Sequence, residues 1–340
     1  MSSRVFQKEV QMGLTHYPHG ILATPNLGGG SASGSVFGNT WFVDGVNGNN
    51  GYNGTSPDRA MKTIQTAVTA AQSNDTIIVA PAVYTENVVT LDDRYSRNVT
   101  IVASGGATIP GWDGGVCWKP TSAALSCLQI KASGWRVVGI NFWPGATSSG
   151  VEFYADMTSA NFRTGGIAGS LCRGGEVSNC LFWGNSTGKY GIVFQGVTGT
   201  QAPCSINIWN NKFAYLNATG ASGIYVASGG NPVYDCQIIG NQFESCKSGI
   251  NTYAAMGIVG TRITDNTFGT GGTYASADAL CVVTSTATPA VTGGNHFYRN
   301  GLGCTIAAAA AGTLVKLNGY DNAGGNYCSD GVDTGIYKAS

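Results

Sequence analysis

Asn207 to Phe213 reads NIWNNKF, Gln237 to Phe243 reads QIIGNQF and Arg262 to Phe268 reads RITDNTF. Each time a short alternating apolar run reaches an Asn and, two residues later, a Phe. The pattern extends in both directions: WRVVGINF (135–142), EVSNCLF (176–182) and VTGGNHF (291–297) also end in Phe. The spacings between these Phe residues are 40, 31, 30, 25 and 29, and Tyr327 follows 30 after the last. A second block trails each Phe: GVEF (150–153), GIVF (191–194), GIYV (223–226), GINT (249–252), ALCV (279–282) and GCTI (303–306). Two short strands per unit, repeated in the same order at a period near 30, mark a solenoid built of strands.

One such unit is too small to bury both of its strands. Stacking units about 4.8 Å apart pairs each backbone with the coil above and below. Phe182, Phe213, Phe243, Phe268 and Phe297 are then expected in one inward stack. Asn211, Asn241, Asn266 and Asn295 should form a ladder at the turn just before it, because Asn tolerates tight backbone geometry and its amide can bond its neighbours. The region 75–328 has room for about nine coils at this period. A β-sandwich with chance likeness between strands is the competing expectation. The recurrence of both blocks in the same order argues against it.

Upstream of the repeat, the polar and apolar pattern changes. Met61, Ile64, Ala67, Val68 and Ala71 fall at helical spacing, and Asp58 stands ready as a cap, so a helix is expected over Arg59–Gln72. Strand-like alternation resumes at Asp75 with DTIIVAPAVYTENVVTL. The whole stretch Trp41–Glu86 resembles the N-terminal cap of right-handed parallel β-helix proteins of the pectin-lyase-like superfamily. Asp44, Gly54, Lys62-Thr63-Ile64-Gln65, Ala67, Asp75-Thr76-Ile77 and Tyr84 match that cap motif, while Ala82 departs where Gly is usual. The resemblance runs from residue 41 to about residue 328. It implies an all-β, right-handed parallel β-helix (a β-solenoid) with an N-terminal capping helix and an extended N-terminal arm. It does not fix an activity, because this fold hosts lyases, hydrolases, epimerases and non-catalytic spikes.

Three segments are therefore expected: an anchoring arm (1–27), a Gly/Ser-rich linker (28–40) containing GGGSASGSVFG, and the β-helix (41–340) with its cap over about 41–74. The arm carries Val5, Phe6, Val10, Leu14, Tyr17, Ile21 and Leu22, more apolar residues than a solvated tail needs, which suits a segment that orders on binding a partner. Met1–Leu22 has no continuous apolar run, so no secretory leader is expected.

Composition narrows the function classes. Lys plus Arg number 18 and Asp plus Glu number 18, for a formal net charge of zero. That balance gives no electrostatic case for nucleic acid or an anionic membrane. The ten cysteines form no C-x-x-C pair and there are only three histidines, so neither a metal nor another cofactor is expected; the thiols read as buried small hydrophobes.

A hydrolytic site on this fold would need carboxylates at matched positions on one exposed strip. No acid recurs at equivalent positions of the repeat. Glu152 and Asp156 could share an outer face, and Glu176 follows, so these three are the candidates if the chain is an enzyme, as polysaccharide lyase or glycoside hydrolase. Solvated loops with ordinary ion pairs are the blander expectation. Trp112, Trp118, Trp135 and Trp143 cluster within 32 residues, as a sugar platform or as packing in the core or at a subunit interface. Two functions stay open. One is a non-catalytic structural protein of a virus particle, such as a phage capsid decoration or spike subunit. It would be assembled in the host cytoplasm and displayed on the virion surface as a homotrimer. Its arm would bind a capsid or tail protein, and a host-surface glycan would be a further partner. The other is a glycan depolymerase or carbohydrate-binding adhesin on the same fold.

Overall fold

The computed structural model describes residues 38–105, 115–156, 172–197, 202–227, 233–252 and 258–270, apart from residue 94, and only short strand segments beyond 270. The arm residues Val5 to Leu22 lie outside the described residues, as do Trp112 and Asn295.

Nearly all the strands fall into three long sheets of ten, nine and nine strands, each strand pairing with its counterparts in the coils before and after it, while Val233–Tyr234 and Ile258–Val259 form a separate parallel pair. All the ladders within them are parallel. The first sheet runs through Thr40–Val43, Thr76–Val79, Thr100–Ala103, Arg136–Val138, Glu176–Ser178, Asn207–Trp209, Gln237–Ile239 and Arg262–Thr264. The second contains Cys117–Lys119, Asn141–Phe142, Leu181–Trp183, Lys212–Ala214 and Gln242–Glu244. The third contains Leu128–Ile130, Ser149–Ala155, Tyr190–Gly196 and Ser222–Val226. Each coil visits the three sheets in turn. This is a right-handed parallel β-helix. No described helix is long and apolar enough to cross a membrane.

The core is a set of columns. In the second sheet Trp118, Phe142, Phe182, Phe213, Phe243 and Phe268 stack ring on ring, with centroids 5.5, 5.2, 4.8, 4.8 and 4.7 Å apart. All six are buried. The ladder of asparagines runs beside them: Asn211 N–H donates to Asn241 Oδ1 at 2.9 Å, and Asn241 N–H to Asn266 Oδ1 at 2.9 Å. Each Nδ2 also donates to a backbone carbonyl, so every buried amide is satisfied within the column. Cys180 takes the next place, donating its N–H to Asn211 Oδ1.

The last rung differs from the sequence expectation. Asn266 N–H donates to Asn300 Oδ1 at 3.0 Å, so Asn300 fills the place expected for Asn295. Phe297 is not in the phenylalanine stack; it pairs with Ile263 in the first sheet, and Leu302 pairs with Phe268. The motif N-G-L at 300–302 repeats the geometry of N-x-F, and it is preceded by the strand His296–Tyr298, which supplies the first-sheet segment that each coil needs.

The cap also differs in detail. The α-helix spans Ile64–Ala70 rather than starting at Arg59. Met61 bridges to Val43, and Ala60 has extended backbone, so the chain there is held beside the first strand instead of coiling. Thr63 caps the helix by accepting from Thr66 N–H, and Glu86 accepts from the N–H groups of Ile64 and Gln65, each at 3.0 Å. Asp75 ties the strand that begins at Thr40 to the cap: its carboxylate accepts from Asn39 N–H, Trp41 Nε1 and Gln72 N–H.

The seven described cysteines are free thiols, six of them buried. Burial pushes Cys180, Cys236 and Cys246 up to about 12.

Candidate functional site

Strand alternation sends Val151, Phe153 and Ala155 into the core and leaves Glu152, Tyr154 and Asp156 on the outer face of the third sheet. Register places Gln129 and Val193 on either side of Glu152. Ser126 Oγ donates to Glu152 Oε2 at 2.8 Å and shares a 2.8 Å hydrogen bond with Ser149. Lys131 Nζ lies 5.4 Å from the centre of the Tyr154 ring. Burial, and then the charges of Asp156 and Glu152, raise the Tyr154 phenol above its ordinary value. On the next two coils, Tyr190 and Tyr225 stack at 4.4 Å and 5° on the same sheet. Burial, with Tyr225 second, pushes Tyr190 up to about 12. Lys189 Nζ sits 5.7 Å from the Tyr190 ring and donates to the carbonyl of Thr219.

This face groups Glu152 and Asp156, as alternation predicts, but it holds them apart. Four residues of extended chain span about 13 Å. Paired carboxylates in glycosidases stand about 5 to 10 Å apart. Glu176 belongs to a different wall. It lies on the first sheet, where Arg136 approaches it at 3.9 Å and Ser178 Oγ donates to it at 2.8 Å. Among the described residues no group of His, Cys, Asp or Glu is arranged to hold a metal ion.

The tryptophans divide differently from their sequence cluster. Trp118 and Trp135 are core residues with no exposed surface, their indole N–H groups donating to the carbonyls of Glu86 and Ser96. Trp143 follows the inward Phe142 and therefore points outward; Trp183 follows Phe182 and does the same one coil on. Tyr215 leans on Trp183 with ring centres 4.6 Å apart. Trp183 and Tyr215 escape a sequence reading that looks for neighbouring tryptophans. The signal for Trp183 is its position directly after a ladder Phe, which alternation places on the outside; Tyr215, two residues after Phe213 and with a positive φ of 55°, carries no such signal.

The sequence matches no family model and no curated protein. Solved structures of similar architecture include the pectin methylesterase from Aspergillus niger, 16% identical, covering 91% of this chain and 92% of that one at a TM-score of 0.44. The alginate lyase from Paenibacillus sp. is 14% identical, covering 82% of this chain and 95% of that one at 0.47. The polygalacturonase from Erwinia carotovora is 10% identical, covering 91% and 99% at 0.37. All are parallel β-helix folds of the pectin-lyase-like type. At these identities and scores the likeness says nothing of activity.

Proposed function

We propose that this chain is a carbohydrate-engaging β-helix that contacts glycan with the outer surface of its coils and does not hydrolyse it by the two-carboxylate route. One observation carries this reading: Glu152, Tyr154 and Asp156 line one outward strip with Lys131 beside them, yet the two acids are four residues apart along extended chain, Glu152 within the strand and Asp156 just past its end. The strip offers acceptors, donors and aromatic edges to sugar hydroxyls without the acid–base pair that hydrolysis requires. Tyr154 favours a second reading, polysaccharide elimination, since a phenol between two carboxylates can hold a proton for a leaving oxygen. Burial and the charges of Asp156 and Glu152 raise the phenol and keep it protonated, so it is not available as the base that elimination also needs, and binding is the stronger reading. Display on a virus particle, with Val5–Leu22 as the anchor and three copies per spike, is compatible with either.

The test is a glycan array probed with the full chain, followed by incubation with each bound glycan. Binding without new reducing ends or ultraviolet-absorbing unsaturated products is the expected result. Unsaturated products that disappear in Tyr154→Phe would establish the lyase reading. New reducing ends that disappear in Glu152→Gln would overturn the non-hydrolytic claim.

A further inference from the structure

The outer face of the second sheet carries a column that the strip around Glu152 does not include. Register sets Lys119, Trp143, Trp183, Ala214 and Glu244 in line on consecutive coils, because Trp118, Phe142, Phe182, Phe213 and Phe243 point inward beside them. Steps along this column are about 4.8 Å. Both indoles remain partly exposed, whereas Ala214 is fully buried, so the surface drops between Trp183 and Glu244. Lys212 and Glu244 form an ion pair at 2.5 Å across that step. The indole Nε1 of Trp143 is buried and has no acceptor among the described residues, so it is the ring face and edge of Trp143 that meet solvent.

We propose that Trp143, Trp183 and Tyr215 form a binding ledge for an uncharged pyranose segment, with Lys119 at one end and the Lys212–Glu244 pair at the other. This rests on the glycan reading above and names its substrate class. The apolar face of a pyranose ring packs on an indole, and its equatorial hydroxyls need charged or polar partners at the rim. An aromatic pair bracketed by Lys119 and by an ion pair supplies both.

The charge pattern selects against acidic sugars. A uronate is best held by a guanidinium, which meets a carboxylate with two parallel hydrogen bonds. The strands of the second and third sheets contain no arginine. Three of the nearby lysines are already engaged: Lys212 with Glu244, Lys131 over Tyr154 and Lys189 with the Thr219 carbonyl. Glu152 and Asp156 would repel a polyuronate approaching the neighbouring third-sheet face, and the Lys212–Glu244 pair offers no net positive charge on this one.

The experiment titrates the full chain with cellohexaose and mannohexaose as uncharged probes and with tetragalacturonate as the acidic one, reading tryptophan emission and calorimetric affinity. It is run alongside the array. Trp183→Ala is the main variant, Trp183→Phe the conservative one and Tyr52→Phe, an exposed residue of the cap, the control away from both faces. Thermal melts confirm that each variant is folded. An uncharged hexamer is expected to shift tryptophan emission, and Trp183→Ala should weaken it about tenfold, with Trp183→Phe retaining part of the affinity. Undiminished binding by folded Trp183→Ala overturns the ledge and leaves the glycan reading standing. Preference for tetragalacturonate overturns the uncharged class in the same way. Failure to bind any glycan on the array overturns both.

Discussion

A side-chain carbon added at Gly191 would stand 2.5 Å from the ring of Phe213 on the next coil. The same relationship joins Gly150 to Phe182 at 2.7 Å and Gly223 to Phe243 at 2.6 Å. The two repeated sequence blocks are therefore two halves of one contact. Phe182, Phe213 and Phe243 each lie against the glycine at the second position of the third-sheet strand of the preceding coil. Only the absence of a side chain lets the aromatic column pass.

Gly191→Val is accordingly expected to destabilise the coil as much as deleting the ring it touches. Phe213→Ala should cost about 3 to 5 kcal/mol by opening a cavity in a fully buried column. Both are checked by denaturant melts followed by circular dichroism. A Gly191→Val protein as stable as the wild type would show that the close approach is not enforced.

The asparagine ladder makes a second prediction. Asn241→Ala leaves the N–H of Asn211 without its acceptor and removes an amide that bonds the carbonyl of Ile208. Unsatisfied buried polar groups cost about 1 to 3 kcal/mol each. Asn300→Ala should show the same kind of loss, since it serves Asn266 in the same manner. Comparable melting of Asn300→Ala and wild type would place the last rung elsewhere.

Glu86 gives a pH dependence. Burial raises its carboxyl above the ordinary value, and the N–H groups of Gln65 and Ile64 only partly oppose this. A folded value above the unfolded one means that protonation favours the folded state. Its contribution is thus complete below the unfolded value of about 4.3 and is lost as pH rises through the raised folded value. The melting temperature of wild type relative to Glu86→Gln should therefore climb as pH falls from 7 toward 4. A difference that is flat across that range would contradict the assignment.

Thiol chemistry supplies the fourth prediction. Cys127, Cys172, Cys180, Cys236 and Cys246 are held by burial well into the unreactive range, while Cys204 is only partly buried and lies near the charge of Arg173. Among these six, Cys204 should react first with a disulfide reagent in the native protein, and the other five only on unfolding. Mass spectrometry of the first modified peptide decides it.

The repeat in the sequence sufficed for the architecture, the inward Phe182–Phe268 stack, the Asn211–Asn266 ladder and the burial of six of the seven described cysteines. Each of these follows from alternation within a strand and from a period near 30, and both are local properties of the chain. What lies between coils needed the tertiary structure. NHF at 295–297 and NGL at 300–302 look equally good as ladder segments. Only pairing of His296–Tyr298 with Arg262–Thr264 decides that Asn300 is the rung. The helix start depends likewise on Met61 being drawn to Val43. At the surface, Glu152 and Glu176 are close in sequence but stand on different sheets, whereas Trp143 and Trp183, forty residues apart, become neighbours. Sequence distance along a coil measures progress around the helix, and only coil-to-coil hydrogen bonding fixes which outward side chains meet across 4.8 Å.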